Sequence, residues 1–177
     1  MVVGARNISL IGMPGAGKST LGVQLAKATA RDFVDTDVLI LLRERKTLQQ
    51  IIEQSNYLAL RQIEEDVLVS LRYSNHVIAT GGSAVYSHRG MQVLRSSGCI
   101  IYLSVPLEVL RGRILDYDQR GIARRPEQSF ADLFRERCAL DESCADISVH
   151  CDEKNQQQLL DELLEHCGPL GGTPSAG

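Results

Sequence analysis

The chain has 177 residues and carries 19 Lys and Arg against 22 Asp and Glu, which gives a formal net charge of −3 at pH 7. Its 44% hydrophobic and 23% charged residues are typical of a soluble globular protein, and they exclude the disordered, collagen-like and disulfide-framework classes. With this acidic balance, three Phe, five Tyr and no Trp, the chain offers neither a positive field nor a stacking surface for bases, so we expect no nucleic-acid partner.

The cysteines and the apolar runs indicate the cellular compartment of the protein. The five cysteines are an odd number without a C-x-x-C pair, which favours reduced thiols over a disulfide set or a zinc site. Residues 1–6 lack an apolar signal segment, and no run approaches the roughly 18 apolar residues of a membrane span. We therefore expect a cytoplasmic protein that does not bind membranes.

Short apolar runs alternate along the chain with segments of helical period, which predicts strands and helices in turn. The runs that we predict as five strands are 8–11, 33–34, 77–79, 100–103 and 147–149. The first four are apolar at successive positions, as in parallel strands that helices cover on both faces. The sequence thus predicts an α/β three-layer sandwich with a five-stranded parallel sheet.

The ends of these elements give further predictions. Pro106 suits the first turn of a helix, and Asp152 or Glu153 can open the last helix. No stretch has the composition of an interdomain linker, so residues 1–167 are predicted to form a single domain. The tail 168–177 is rich in Gly and Pro and is expected to be disordered.

The segment after the first predicted strand has the pattern G-x-x-x-x-G-K-[ST] and opens a helix. It reads Gly12-Met13-Pro14-Gly15-Ala16-Gly17-Lys18-Ser19-Thr20. Glycines let the backbone wrap around a phosphate, so that successive N–H groups and the helix N-terminus face it. Lys18 would reach the β- and γ-phosphates, and the Ser19 hydroxyl would bind Mg²⁺. The pattern predicts an ATP-binding loop, and a Gly-rich connecting turn is the weaker alternative.

Two carboxylates, Asp35 and Asp37, follow the second predicted strand. In an extended chain a period of two sends both side chains to one side, where they can face one ligand. We assign Asp35 to the Mg²⁺ site and Asp37 to an acceptor hydroxyl, which it would hold or deprotonate. On these residues alone, a turn with Asp37 as the N-cap of a helix that begins near Val38 is an equally good interpretation.

Two further segments have both a functional and an ordinary interpretation. Arg61 and Glu64 lie one helical turn apart, which is the spacing of a solvated surface ion pair and also of an arginine oriented by a carboxylate. Gly81 and Gly82 follow the third predicted strand, where they form a tight turn or allow backbone N–H groups to approach an acceptor.

The segment that begins at residue 111 is strongly basic. It carries Arg111, Arg113, Arg120, Arg124 and Arg125, opposed by Asp116 and Asp118. We predict a lid over about residues 112–126, because a basic segment that closes over a bound triphosphate would keep water away from its γ-phosphoryl group. A basic surface loop is the alternative. The adenine is expected between the start of this lid and the loop 151–155.

Taken together, these motifs resemble those of the shikimate kinase family. The matching blocks are Gly12 to Thr20, Asp35-Thr36-Asp37, Leu60 to Glu65, Ala79 to Gly82, and Arg125-Pro126 with Glu136-Arg137. The resemblance implies a P-loop fold with sheet order 2-3-1-4-5, ATP as donor with Mg²⁺, and a small hydroxylated carboxylic acid as acceptor. The reaction that it implies is phosphoryl transfer to a ring hydroxyl of shikimate.

The resemblance also assigns roles by position. The implied catalytic residues are Lys18, Asp37 and Arg125, and the implied acceptor-binding residues are Asp37, Arg61, Gly81, Gly82, Arg125 and Arg137. Ser19 and Asp35 are placed at the metal, and Arg113 at the nucleotide. Arginines suit the acceptor, because a guanidinium fork matches a planar carboxylate with paired hydrogen bonds.

The chain departs from the family pattern mainly on the acceptor side. It has Ser83 where a third glycine is usual, Asn56-Tyr57 for Gly-Glu, Glu127 for leucine and Asp141 for tyrosine. Two alternatives therefore stay open: a related P-loop kinase of another hydroxy acid, and a catalytically inactive nucleotide-binding metabolite sensor. For each of these three functions we expect a monomer.

Overall fold

Five parallel strands form the centre of the molecule. In the computed structural model, which describes residues 6–113 and 121–167, they pair in the order β2-β3-β1-β4-β5. The strands are β1 Asn7–Ile11, β2 Asp32–Asp35, β3 His76–Ala79, β4 Gly98–Ser104 and β5 Ile147–His150. In the register, Leu10 of β1 lies opposite Ala79 of β3 and Ile101 of β4. The predicted strands and the predicted sheet order are confirmed.

Helices connect the strands, because parallel strands need long crossover connections. Within the described ranges they are α1 Lys18–Ala28, α2 Thr36–Glu44, α3 Leu48–Gln54, α4 Tyr57–Ser70, α5 His88–Ser97, α6 Leu107–Arg113, α7 Phe130–Cys144 and α8 Gln156–Cys167, with a 3-10 turn at Ala84–Tyr86. Since all strands run in one direction, the connections that follow their carboxyl ends meet at a single edge of the sheet.

Both faces of the sheet are buried. Leu10 belongs to a core cluster with Leu25 of α1 and the apolar face of α8. Its neighbour Ile11 faces the other way and belongs to a cluster with Leu68 of α4 and Leu94 of α5. This is the predicted three-layer arrangement, and it explains why the strand sequences are apolar at every position.

A third, smaller cluster lies beside the sheet. It joins Ile40 of α2, Ile51 of α3, Leu60 of α4 and Ala123. This cluster fixes the first turns of α2 and α4, which carry candidate acceptor residues, against the segment that follows residue 121.

Two predicted helix starts differ from the structure. The last helix is opened by Asn155, whose side chain accepts from Gln158 N at 3.0 Å while the Gln158 side chain accepts from Asn155 N at 2.9 Å. The prediction of Asp152 or Glu153 is therefore wrong, because this reciprocal cap fixes the start of α8 three residues later than Asp152 could. Pro106 directly precedes α6, and its carbonyl accepts the hydrogen bond from Leu110 N.

Some predictions concern parts of the chain that the structure does not cover. Residues 114–120 of the predicted lid and the predicted disordered tail 168–177 lie outside the described residues. Among the helices that are described, none is long and apolar enough to cross a lipid bilayer.

Candidate active site

The loop between β1 and α1 has the backbone conformation of a phosphate cradle. Gly12, Gly15 and Gly17 all have positive φ, at 138°, 81° and 93°, where residues with a Cβ are strained. A Cβ at Gly12 would also lie only 2.8 Å from the carbonyl oxygen of Leu103. The glycines thus let the loop turn sharply and present backbone N–H groups ahead of α1.

Lys18 lies at the start of α1 and folds back over this loop. Its Nζ donates to the carbonyls of Gly12 at 2.7 Å and Met13 at 2.9 Å, and the side chain is buried. Burial lowers the pKa of Lys18, an effect that the nearby carboxylates of Asp37 and Asp141 oppose. Because an ammonium has three donors, one of them remains for an anion in the loop.

Asp35 ends β2 and makes two contacts that link the loop to α2. One carboxylate oxygen accepts from the Ser19 hydroxyl at 2.5 Å, and the other accepts from the backbone N–H of Asp37 at 2.9 Å. Asp35 is therefore the N-cap of α2. The alternative in which Asp37 caps that helix is therefore wrong. The prediction that Asp35 and Asp37 lie two residues apart in an extended chain is also wrong, because the helix begins at Thr36.

With the cap supplied by Asp35, the carboxylate of Asp37 is available to a ligand. Its Oδ1 is buried and has no hydrogen-bond partner among the described residues. Burial, together with the charge of Asp35, raises the pKa of Asp37 to about 6, while Lys18 lowers it. At neutral pH the group is mostly ionised and can accept a proton or a hydrogen bond.

A cavity of about 450 Å³ connects the phosphate loop to these charged side chains. Its walls include Lys18, Asp37, Glu64, Gly82, Arg113 and Arg137. Residues that are far apart in the sequence meet here because they follow the carboxyl ends of neighbouring strands or lie on α4 and α7. Lys18 of the phosphate loop and the charged side chains of α2, α4 and α7 therefore face one space.

Arg61 and Arg137 converge on a single acceptor atom. Arg137, which is 1% exposed, donates from Nη2 to the carbonyl of Ala123 at 2.8 Å, and Arg61 donates to the same carbonyl at 3.4 Å. Arg137 and Ala123 line the cavity, whereas Arg61 lies directly behind Ala123. The structure thus brings the predicted arginines together, with Arg61 beside the cavity.

Glu64 is buried beneath these arginines, so a solvated surface ion pair with Arg61 is the wrong interpretation. Burial and the charge of Asp37 raise the pKa of Glu64 to about 8, whereas Arg137 and Arg61 lower it. The sequence signal was the helical spacing between Arg61 and Glu64, which does not distinguish a buried pair from an exposed one.

The two glycines after β3 sit where side chains would collide with the site. A Cβ at Gly82 would lie 2.8 Å from the ring of Pro14 and 2.9 Å from Nη1 of Arg137. A Cβ at Gly81 would meet the carboxylates of Glu64 and Asp37. The absence of side chains at these two glycines therefore lets the segment after β3 pack closely against the phosphate loop and the charged residues of the cavity.

Arg125 does not reach the cavity. Its guanidinium donates to Glu136 at 2.8 Å, and its side chain is 59% exposed. Ile122 and Ala123 form the cavity wall from this segment instead. The sequence could not show that Glu136, which adjoins the predicted acceptor arginine Arg137, would bind Arg125.

Arg113 lies beside the phosphate loop and donates to the carbonyl of Gly15 at 3.2 Å. It lines both the main cavity and a smaller hollow of about 280 Å³. Lys154 and Gln156 form the far wall of that hollow. The sequence predicts the adenine between the start of the lid and the loop 151–155, and Arg113 and Lys154 of this hollow belong to those two segments.

Asp141 is a buried charge that the sequence marked only as a departure. It follows Arg137 by one helical turn on α7, is 1% exposed, and its Oδ2 has no partner among the described residues. Burial raises the pKa of Asp141 to about 7, and the charges of Lys18 and Arg137 lower it.

A parallel sheet, a glycine-rich phosphate loop and a cavity that this loop shares with buried carboxylates and an arginine are typical of a P-loop phosphotransferase for small molecules. Comparisons with known proteins give the same class of protein. A family model described as shikimate kinase matches residues 14–168. A shikimate kinase of Haemophilus influenzae (strain PittEE) is 34% identical over 175 residues, covering 95% of this chain and 97% of that protein.

Solved structures give the same result. Shikimate kinase from Acinetobacter baumannii in complex with shikimate has a TM-score of 0.81 and 30% identity, covering 91% of this chain and 92% of that one. Shikimate kinase from Aquifex aeolicus has a TM-score of 0.74 and 30% identity, with coverage of 90% and 94%. The chain belongs to the shikimate kinase family, whose members are ATP-dependent phosphotransferases that act on an alcohol group and use Mg²⁺.

Proposed function

We propose that this chain transfers the γ-phosphoryl group of ATP to a ring hydroxyl of shikimate. The observation that carries the proposal is one cavity that Lys18 of the phosphate loop, Asp37 and Arg137 all line. A small acid in this space would place a hydroxyl near Asp37 while its carboxylate faces an arginine. The relative solved with shikimate supports this acceptor.

Arg61 and Arg137 are proposed to bind the acceptor carboxylate. Both already donate to the carbonyl oxygen of Ala123, so their donors meet at a point where an oxygen acceptor fits. A carboxylate with two oxygens and a full negative charge would bind more strongly than this neutral carbonyl. Gly81 and Gly82 would allow the acceptor to approach the backbone closely.

Asp37 is proposed to position and deprotonate the attacking hydroxyl. A base works best with a pKa near the working pH, and burial has moved the pKa of Asp37 to about 6, close to that range. Asp35 holds Asp37 N through its cap, so the two carboxylates have separate tasks.

The donor end is proposed to bind ATP and Mg²⁺. The loop residues from Gly12 to Thr20, apart from Met13, would surround the phosphates, with Lys18 supplying the positive charge. Ser19 and Asp35 already form an oxygen pair, which suits a cation that keeps most of its ligands as water and phosphate oxygens. When bound, Mg²⁺ would neutralise charge that builds up on the phosphate oxygens.

Two arginines are candidates for charge stabilisation near the γ-phosphate. Arg113 lines the cavity and borders the hollow proposed for the adenine. Arg125 would have to exchange Glu136 for the ligand before it could act on the acceptor or the phosphate. We infer that Arg113 stabilises the nucleotide and that Arg125 contributes only after the segment around residue 125, part of the proposed lid, has moved.

A coupled assay of ADP release tests the reaction. Purified protein with ATP and Mg²⁺ is offered shikimate, gluconate and nucleoside monophosphates, and only shikimate is expected to give saturable turnover. Turnover with another acid alone would assign the enzyme to that acceptor. Saturable ATP binding without acceptor-dependent ADP release would favour the metabolite sensor.

We infer that the working unit is a cytoplasmic monomer, a single domain over residues 1–167 that needs neither nucleic acid nor membrane. Sedimentation equilibrium with ATP and shikimate is expected to give the monomer mass, and a single-stranded RNA is expected to show unchanged mobility at low salt. A dimer mass with higher specific activity would contradict the monomer.

A further inference from the structure

The guanidinium of Arg61 rests on aromatic rings. Its Cζ lies 3.6 Å from the ring centroid of Tyr86 and 5.1 Å from that of Tyr57. By contrast, its hydrogen bond to the carbonyl of Ala123 is long, at 3.4 Å, and its buried Nε has no hydrogen-bond partner in the described part of the chain. The ring of Tyr86 therefore lies directly against this guanidinium.

Support by a ring differs chemically from support by a carboxylate. The face of an aromatic ring attracts a guanidinium while its N–H donors, which lie in the guanidinium plane, stay free. A carboxylate partner would occupy those donors and neutralise their charge. Tyr86 can thus fix the plane of Arg61 and still leave its donors to an anion.

Tyr86 is itself fixed at both ends. Its backbone belongs to the 3-10 turn Ala84–Tyr86, two residues after the close approach at Gly82. Its hydroxyl donates to Oε1 of Glu136 at 2.6 Å. This hydrogen bond and the charge of Arg125 lower the pKa of Glu136, so Glu136 accepts as a carboxylate. The ring is therefore held in one orientation.

The same ring also faces the second acceptor arginine. The Cζ of Arg137 lies 5.6 Å from its centroid. Both guanidinium groups donate to the carbonyl of Ala123, so Tyr86 lies beside the two arginines whose donors converge there.

We propose that Tyr86 is a positioning residue for acceptor binding: its ring holds Arg61, and Glu136 holds the ring, in the orientation that directs arginine donors toward the acceptor carboxylate. The inference rests on the proposed function, in which Arg61 and Arg137 bind that carboxylate. The ring face carries the effect on Arg61, and the hydroxyl, which also interacts with Arg137, fixes the ring.

Steady-state kinetics on the full chain test this role. The KM for shikimate, the KM for ATP and kcat are measured for wild type, Tyr86→Leu and Tyr86→Phe. Tyr86→Leu is expected to raise the KM for shikimate about five- to twentyfold, because the cation–π contact is lost. Its kcat and its KM for ATP are expected to stay within about twofold of wild type, and Tyr86→Phe is expected to restore most of the affinity for shikimate.

Tyr73→Leu is the matched control. The Tyr73 ring packs against His76 with centroids 4.6 Å apart, just before β3 and therefore at the opposite end of the sheet. All three parameters are expected to stay at wild-type values. If Tyr86→Leu does not fold, judged by its circular dichroism, Tyr86→Met replaces it, because methionine fills a similar volume without a ring face.

Two results would overturn the inference. One is a KM for shikimate within twofold of wild type in the ring-deleted variant, and the other is an equal loss in Tyr86→Phe and Tyr86→Leu. Arg61→Lys and Arg137→Lys in the same assay separate this failure from that of the proposed function. If the lysine variants raise the KM and the ring deletion does not, only the role of Tyr86 fails, whereas no effect in any of them removes the proposed carboxylate site as well.

Discussion

The donor and acceptor ends of the cavity are built in different ways. The proposed donor end consists of consecutive residues from Gly12 to Thr20, and it presents backbone groups and one lysine. The proposed acceptor end gathers Asp37, Glu64, Gly82 and Arg137 from four separate segments, and it presents charged side chains that are mostly buried. One end is a property of a local backbone conformation, and the other is a property of the tertiary structure.

The difference lies in how charge is stabilised. Backbone N–H groups in the loop are fixed dipoles that need no counterion. At the acceptor end, burial raises the pKa of Asp37, Glu64 and Asp141 and lowers that of Arg137, so each charge depends on its neighbours. We therefore expect changes at the donor end to act on turnover, and changes around Arg137 at the acceptor end to act on affinity. Asp37, proposed to face the reacting hydroxyl, should act on turnover and on its pH dependence.

The largest effect is expected from the lysine of the donor end. Lys18→Met should lower kcat about 10²- to 10³-fold, because it removes the positive charge at the phosphates that change charge during transfer. Rapid-mix measurement of ADP release gives the value, and Lys27→Met, at the exposed end of the same helix, is the control. A kcat within tenfold of wild type would place the essential charge elsewhere.

The next largest effect is expected where the two ends meet at the reacting hydroxyl. Asp37→Asn should lower kcat at least about 10²-fold through loss of the base. In wild type, kcat/KM for shikimate should rise with pH through about 6, the raised pKa of Asp37, and this rise should be absent from the variant. Asp161→Asn on the exposed face of α8 is the control, and an unchanged pH profile in Asp37→Asn would assign the base to another group.

A smaller effect is expected from a substitution that adds a methyl group between the phosphate loop and Arg137. Gly82→Ala places a methyl group within 3 Å of Pro14 and of Nη1 of Arg137, so one of them must move. If Arg137 gives way, the KM for shikimate should rise about tenfold while the KM for ATP stays within about threefold. A larger change in the KM for ATP would mean that the loop moves and that the donor end is the less rigid of the two.

The smallest effect concerns stability. Because the carboxyls of Asp37, Glu64 and Asp141 have raised pKa values, these three groups bind more protons in the folded protein than in the unfolded chain above about pH 4. Their contribution to the free energy of unfolding should therefore fall as pH rises from about 4 to about 8. Without ligands, the contribution of these three carboxyls should make Tm lower at pH 8 than at pH 5.5.

Asp141→Asn isolates one of these groups. The variant should raise Tm at pH 8 by about 2–4 °C, which corresponds to on the order of 1 kcal/mol, and should leave Tm at pH 5.5 almost unchanged. Asp161→Asn is the exposed control. A loss of Tm at pH 8 would mean that the pairing of Asp141 with Lys18 and Arg137 outweighs its burial.

Much of the fold and of the donor end could be predicted from the sequence. The apolar runs gave the five strands, and the glycine and lysine spacing gave the loop, because both patterns are local and repeat the geometry of the backbone. Boundaries were less accurate, since Asn155 opens α8 and Asp35 caps α2. A cap depends on which of several polar residues reaches a free N–H group, and several candidates adjoin each helix.

The sequence by itself determined the parallel sheet, the phosphate loop and the identity of the charged residues, because these follow from residue type and short-range spacing. Only the tertiary structure decided that Glu64 and Asp141 are buried, that Arg125 binds Glu136 and that Tyr86 supports Arg61. Burial and long-range pairing arise when separate elements pack together. The pKa of a buried group is then set by neighbours that lie dozens of residues away in the chain.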